Sequence, residues 1–333
     1  MSGRAEAAAI TAGALLAALA LFALFLRANG LDPLAVYAVL WLGGFGTPFS
    51  LQATLTQAAP LMLTALCTAI PARAGLLVIG GEGALVAGGV FAVLAGVVAA
   101  GLPAALGTFA ICAAGAVAGA AWIAMAGALK HFRGVNETIS TLLLNYIAVA
   151  LLNHLVSGPM RDPAVSLKAT SWSIPQASMV GTLPGIGVHW GLAFGVIACL
   201  IAFALLKYTV FGFSVGVLGG NPRAAQLVGL PIGRLTLLAC GLGGAAAGLA
   251  GAVEIVAVHG AASSSLAVGF GYGGILVAFL ARQNPLADQF LRRTPNLVNF
   301  SLGDGVLRIV GAAVGPVDGA SDDGGILTNE PKL

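Results

Sequence analysis

Residues 104–129 read AALGTFAICAAGAVAGAAWIAMAGAL, 26 positions without an Asp, Glu, Lys or Arg, and Lys130, His131 and Arg133 then close the run. A helix needs about 20 mostly apolar residues to cross a hydrocarbon layer about 30 Å thick. It must also satisfy its own backbone, because lipid offers no hydrogen bonds. This stretch is long enough, apolar enough, and stopped by charge at one end. Gly115 and Gly119 stand four apart on one helical face, which lets another backbone approach closely. We read it as a membrane-spanning helix, and it sets the solvent in which the rest of the chain is interpreted.

Working outward, seven further apolar runs follow the same pattern: 7–26, 51–70, 83–100, 139–156, 190–206, 235–258 and a short, glycine-led 270–281. The first resembles a signal peptide only superficially, since its apolar run is too long and no small-residue cleavage site follows. Residues 33–49 are apolar but broken by glycines and Pro48, and read as interfacial or re-entrant. Residues 157–189 form the one long loop between spans. Composition agrees: of 333 residues 59% are hydrophobic, 48 are Gly and only 8% are charged. A soluble domain carries about 25% charged residues, so a pair of soluble domains is excluded. The expected fold is an all-α, polytopic membrane helical bundle of about eight transmembrane helices, bathed in membrane lipid.

Charge placement gives the orientation. With the N-terminus cytoplasmic, Arg4, Arg73, Lys130, Arg133, Lys207, Arg223, Arg234, Arg282, Arg292, Arg293, Arg308 and Lys332 fall inside, against Arg27, Arg161 and Lys168 outside. Such a bias is the positive-inside rule at work. A net charge of +3, so dispersed, makes no phosphate-binding patch, and nucleic acid is not expected as a partner. Cys67, Cys112, Cys199 and Cys240 each lie in an apolar run and read as small hydrophobes. The scattered histidines form no metal pair. No catalytic constellation, cofactor motif or G-x-x-x-x-G-K-[ST] loop occurs, so this chain does not itself cradle ATP.

Residues 220–234, GNPRAAQLVGLPIGR, form a short punctuated helix on the cytoplasmic side. Asn221 caps it, Pro222 suits its first position, and Gly229 followed by Pro231 stops it. Ala224 and Ala225 offer a small-residue face that fits a narrow groove on a partner; an ordinary amphipathic loop helix is the alternative. Gly115-x-x-x-Gly119 and Gly244-x-x-x-Gly248 mark close helix packing. Gly269-x-Gly271-x-Gly273 lacks a strand–turn–helix context and reads as the entry of a broken helix.

Polar groups at membrane depth are costly and therefore candidates for function. Glu254 lies near the outer end of its helix, as a gate or substrate-facing group, or reaching for the interface. Glu82, between glycines at a helix start, either lines a cavity or steadies that N-terminus. Thr138, Thr141, Asn145 and Asn153 share one helical stripe, open to a solute pathway or to interhelical bonding. Asn136 and Glu137 read as the cap of that helix.

Four stretches together resemble a known family. Ala224-Ala225-x-x-x-Gly229 is similar to the coupling-helix motif of bacterial ABC importer permeases, with Arg223 where that motif has Glu. RAGLLVIGGEG at 73–83, GVNETISTLLLNY at 134–146 with GPMRDP at 158–163, and GYGGILVAFLARQNP at 271–285 resemble signatures of the simple sugar, nucleoside and branched-chain amino acid type. The second set is closest to the nucleoside branch. Val78 and Ala84 stand where the family usually has Asn and Gln. The likeness covers residues 30–286.

The resemblance implies a permease of the bacterial cytoplasmic (inner) membrane that moves nucleosides or related simple sugars inward by alternating access. It implies a separate ABC ATPase subunit docking on Asn221, Pro222, Arg223, Ala224, Ala225 and Gly229. It also implies a second related permease subunit and an extracytoplasmic substrate-binding lipoprotein. Two other classes compete. An ion-gradient-driven secondary transporter calls for paired intramembrane acids and an inverted repeat, and an intramembrane enzyme for a catalytic constellation; none is evident. The permease domain is assigned to 1–286 and an atypical polar tail to 287–333. Where the family continues into another apolar helix, this tail reads as a frameshifted segment rather than a native extension.

Overall fold

Several helices in this chain begin at a side-chain cap that the sequence supplies. The computed structural model describes residues 3–163, 169–183 and 187–283. The tail at 287–333, with Arg292, Arg293, Arg308 and Lys332, lies outside the described residues, as does Lys168. Eleven α-helices occur among the described residues: α1 (Gly3–Ala28), α2 (Pro33–Trp41), α3 (Pro48–Arg73), α4 (Gly81–Val98), α5 (Ala104–Arg133), α6 (Glu137–Ser157), α7 (Gly191–Tyr208), α8 (Val210–Gly220), α9 (Pro222–Leu227), α10 (Ile232–Glu254) and α11 (Phe270–Gln283). The Thr47 hydroxyl accepts the Ser50 N–H at 3.0 Å to start α3, with Pro48 at its first position. Asn136 likewise accepts from Thr138 and Ile139 at the head of α6. Gly134, at φ +67°, ends α5 in the left-handed region where a Cβ is penalised.

The protein is an all-α, multi-pass helical bundle; the described residues hold only isolated β-bridges. Among the described residues six helices are long and apolar enough to cross a membrane: α3, α4, α5, α6, α7 and α10 extended by a π-turn to His259. They coincide with six of the eight expected runs. The apolar part of α1, Leu16–Ala28, and α11 form shorter apolar helices. The broken stretch after α1 folds as α2 and a π-turn, Leu42–Gly46. Nine helical residues at 1.5 Å each cannot cross a bilayer. Tyr37 of α2 donates its hydroxyl to the Leu19 carbonyl at 2.6 Å, tying α2 to α1.

The centre of the bundle is a glycine seam. A Cβ on Gly119 or Gly248 would run into the facing backbone of the other helix, and one on Gly88 of α4 would run into Gly248. The two small-residue patterns therefore face each other across α5 and α10, with α4 in the same contact. Without a hydrophobic force between helices in lipid, such backbone approach maximises dispersion contacts and holds the bundle. Around the seam lie Leu85, Ile111, Leu152, Val253 and Ile255, all buried.

The long loop after α6 is ordered over its described parts. It is stitched to the turn after α10: Ser171 N–H donates to the Ala262 carbonyl at 2.8 Å, and the Ser171 hydroxyl accepts from Ala262 N–H at 2.8 Å. Ile174 donates to the Gly260 carbonyl and Val180 to that of Val256, each at 2.8 Å. The loop caps one end of the bundle.

Candidate functional site

The short helix α9 forms as its punctuation dictates. Asn221 Oδ1 accepts from Arg223 N–H at 3.0 Å and Ala224 N–H at 3.2 Å, and Gly229 takes φ +77° immediately beyond. Its orientation differs from the small-residue face expected. Ala225 is fully buried against the bundle, among Val215, Leu218 and Leu235, and Ala224 is half-buried. The face turned outward is Arg223, Gln226, Leu227 and Val228, with Leu227 89% and Val228 75% exposed. The reason is packing: the smaller side chain lets α9 lie close on its own protein, and the larger apolar ones are left outside. Sequence reading found the helix and missed Leu227 and Val228, whose apolar character in a solvent-side loop was the available signal. The preceding helix α8 was also missed, because its glycines hid an 11-residue helical run.

From α8 the contacts lead inward. Gly219 packs so tightly on the Arg73 carbonyl and Gly75 that no side chain could replace its hydrogen. Beyond Gly75, at φ +74°, residues 76–79 are not helical and run as a strap into the bundle. Buried backbone without helical partners must be satisfied by side chains. The polar stripe of α6 does this. Thr138 donates to the Leu77 carbonyl at 3.0 Å, and Thr141 accepts from Ile79 N–H at 3.2 Å. Asn145 donates to the Ile79 carbonyl at 2.9 Å and accepts from Gly83 N–H at 2.7 Å. Glu137 accepts from Leu77 N–H at 3.4 Å and pairs with Lys130 at 2.7 Å. The structure thus brings Thr138, Thr141 and Asn145 together on this strap. Asn153, farther along α6, is exposed and apart from them.

The strap ends at Glu82, which is 3% exposed. Its Oε1 accepts from Gly269 N–H at 2.8 Å and its Oε2 from Gly271 N–H at 2.6 Å. Gly269 immediately precedes α11 and Gly271 is its second residue, 187 and 189 residues away in sequence. Gly269, at φ +95°, makes the turn into α11, as the broken-helix reading anticipated. Gly80 sits beside Ile123, ten residues or about 15 Å from the Arg133 end of α5 and nineteen residues or about 29 Å from its Ala104 end. Both α4 and α11 therefore start inside the bundle. A cavity of about 210 Å³ lies between the strap, Thr68, Gly219 and Phe279, on the α9 side of this junction.

Glu254 lies elsewhere, at the C-terminal end of α10, 4% exposed and 3.4 Å from His259 Nδ1 across the π-turn. It belongs with the capping loop and is not part of the Glu82 junction. Nearby, His189 is buried; its Nδ1 accepts Gly191 N–H at 3.0 Å and so caps α7. Burial pushes this imidazole below the usual histidine range, against the opposing pull of the Glu254 charge and the Thr56 carbonyl. Among the described residues no three His, Cys, Asp or Glu side chains gather to hold a metal.

The described residues form a multi-pass bundle with the short helix α9 at one end, an ordered loop over the other and helix starts between them. The chain belongs to the family described as branched-chain amino acid transport system / permease component, whose pattern matches residues 50–291. It is similar to the glucose ABC transporter permease protein TsgB13 of Haloferax volcanii, 32% identical over 81% of this chain and 73% of that one. It is also similar to the guanosine ABC transporter permease protein NupP of Bacillus subtilis, at 30% identity over 80% and 77% of the two chains. The nucleoside ABC transporter permease protein NupB of Lactococcus lactis is 24% identical over 88% and 85%. The chain is accordingly an ABC importer permease subunit and not itself an enzyme; ATP is hydrolysed by a separate subunit. Membership implies association with an ATPase and a substrate-binding protein.

Proposed function

We propose that this permease carries nucleosides or related simple sugars inward across the bacterial cytoplasmic membrane by alternating access. Relatives whose names specify guanosine, nucleosides and glucose support that solute class. The N-terminus is cytoplasmic in this reading, supported by the excess of Lys and Arg on the side of Arg73, Lys130 and α9. A second, related permease subunit completes the pathway, and a binding lipoprotein delivers solute to the side capped by residues 169–183. In this reading the permease domain is 1–286 and residues 287–333 are an atypical polar tail.

The observation that carries the reading is the outward face of α9, two bare apolar side chains beside Arg223 on an otherwise charge-poor chain. Apolar groups this exposed on the cytoplasmic side fit a partner's pocket. In this arrangement Leu227 and Val228 fill the ATPase pocket, while Asn221, Pro222, Ala224, Ala225 and Gly229 hold the helix at the right angle. The test is co-purification with the ATPase and nucleoside uptake in proteoliposomes. Leu227→Asp is expected to cut ATPase recovery and uptake at least about ten-fold, as losing one anchoring contact of that size does. Full ATPase recovery and uptake with Leu227→Asp and Val228→Asp together would remove α9 as the docking element.

A further inference from the structure

We propose that Glu82 is a positioning residue for transport: its carboxylate is the joint through which movement of α9 reaches α11. The inference rests on the permease reading above and adds a residue-level link to it. Two helices begin at this carboxylate and leave in different directions. α4 runs from it toward the capped end of the bundle. α11 runs along α3 toward Arg73, since Phe270 meets Thr64 at 2.9 Å and Ala278 packs with Leu66, Ala69 and Ile70. Each helix points its positive end at Glu82. Among the described residues no cation pairs with this carboxylate; its hydrogen bonds go to the two α11 amides. Both carboxylate oxygens are engaged, at 2.8 and 2.6 Å.

Everything between this joint and α9 is in direct contact. α9 follows α8 after the single extended residue Asn221, and Gly219 of α8 rests on Arg73 and Gly75. From Gly75 the strap leads to Glu82 and is hydrogen-bonded along its length to α6. At the joint itself, Gly271 lies against the backbone of Gly81 and Glu82 with no space for a side chain. A shift of α9 is therefore transmitted through main-chain contacts to the strap. The strap ends in the only charged group that grips the start of α11 among the described residues. Released from that grip, α11 keeps the Thr64–Phe270 hydrogen bond and its packing on α3 and α4, but its leading amides are no longer tied to the strap. A two-position element of this kind is what alternating access needs. Because the grip uses both oxygens of a buried carboxyl group, it is costly to leave half made.

The experiment uses the complete complex of permeases, ATPase and binding protein in proteoliposomes, in a background with the native cysteines replaced. Tyr272→Cys reports on the first turn of α11 through its rate of maleimide labelling, since Tyr272 is 41% exposed. With Glu82 intact, ATP and vanadate are expected to change that rate about ten-fold; Glu82→Gln is expected to hold it at one value in both conditions. Solute moved per ATP hydrolysed is expected to fall about ten-fold in Glu82→Gln and to recover largely in Glu82→Asp, which keeps the charge. Labelling that responds to ATP equally in Glu82→Gln, or an unchanged transport ratio, overturns the proposal. If the Glu82 variants do not assemble, the same ATP-independent labelling rate in the Glu82-intact complex overturns it. Absence of any ATP-driven uptake by the intact complex would instead fail the permease reading, and is read separately.

Discussion

Gly119 and Gly241 look alike in the sequence, one on α5 and one on α10, and the structure makes them opposites. Gly119 abuts the backbone of Gly244 and Gly248, while nothing lies within 4 Å of where a Cβ on Gly241 would sit. Adding a methyl at the first must push two helices apart against a packed interior, at about 1–3 kcal/mol. Adding it at the second removes backbone freedom at no steric cost and gains up to about 1 kcal/mol. Thermal unfolding of the detergent-purified protein should show Gly119→Ala markedly destabilised and Gly241→Ala unchanged or improved. Equal midpoints for the two would contradict the seam. The motif G-x-x-x-G made Gly119 legible, but no pattern marked Gly88, which joins the same contact from α4. Glu82 was legible only as a costly acid at a helix start. Its partners lie 187 residues downstream, beyond any local signal.

At the scale of elements, the caps and spans follow local rules, and the strap and outer cap do not. Helix α9 was readable to its ends because Asn221, Pro222 and Gly229 act on neighbouring backbone. Which of its faces turns outward depended on what it packs against. The outer cap depends likewise on a distant histidine. His189 is held neutral by burial, so the folded state binds fewer protons than the unfolded one as pH falls. Stability from this group is complete above its ordinary value of 6.5 and is lost as pH drops through 6.5 toward the depressed folded value. The protection of amides at the start of α7, taken relative to intrinsic exchange at each pH, is expected to fall between about pH 7.5 and pH 5.5, the range in which histidine titrates. His189→Asn keeps an acceptor for Gly191 and should flatten that dependence. A slope that survives the substitution assigns the effect to another group.

For the whole molecule the decisive quantity is which end faces the cytoplasm. Gln226 on α9 is exposed at one end, and Gly181 in the capping loop is exposed at the other with open space around it. In intact cells, a membrane-impermeant maleimide should label Gly181→Cys and should reach Gln226→Cys only after the membrane is opened. The reverse order would invert the topology and move the docking face outside. The same arrangement explains why so few charges suffice. Lys130 with Glu137, and Glu82 with the start of α11, hold the strap at its two ends.

The sequence by itself determined that this chain lives in lipid, where its long apolar helices run, where the short helix α9 starts and stops, and which family it resembles. Those properties depend on apolar length and on residues within one helical turn of each other, so they are written locally. Only the tertiary structure decided that Ala225 turns inward and that the polar stripe of α6 satisfies the strap. It likewise decided that Glu82 grips α11. In a bundle whose unwound backbone must find every hydrogen bond inside the protein, the partner of a polar group is whichever element is packed against it. That is a property of the fold as a whole, and no local pattern encodes it.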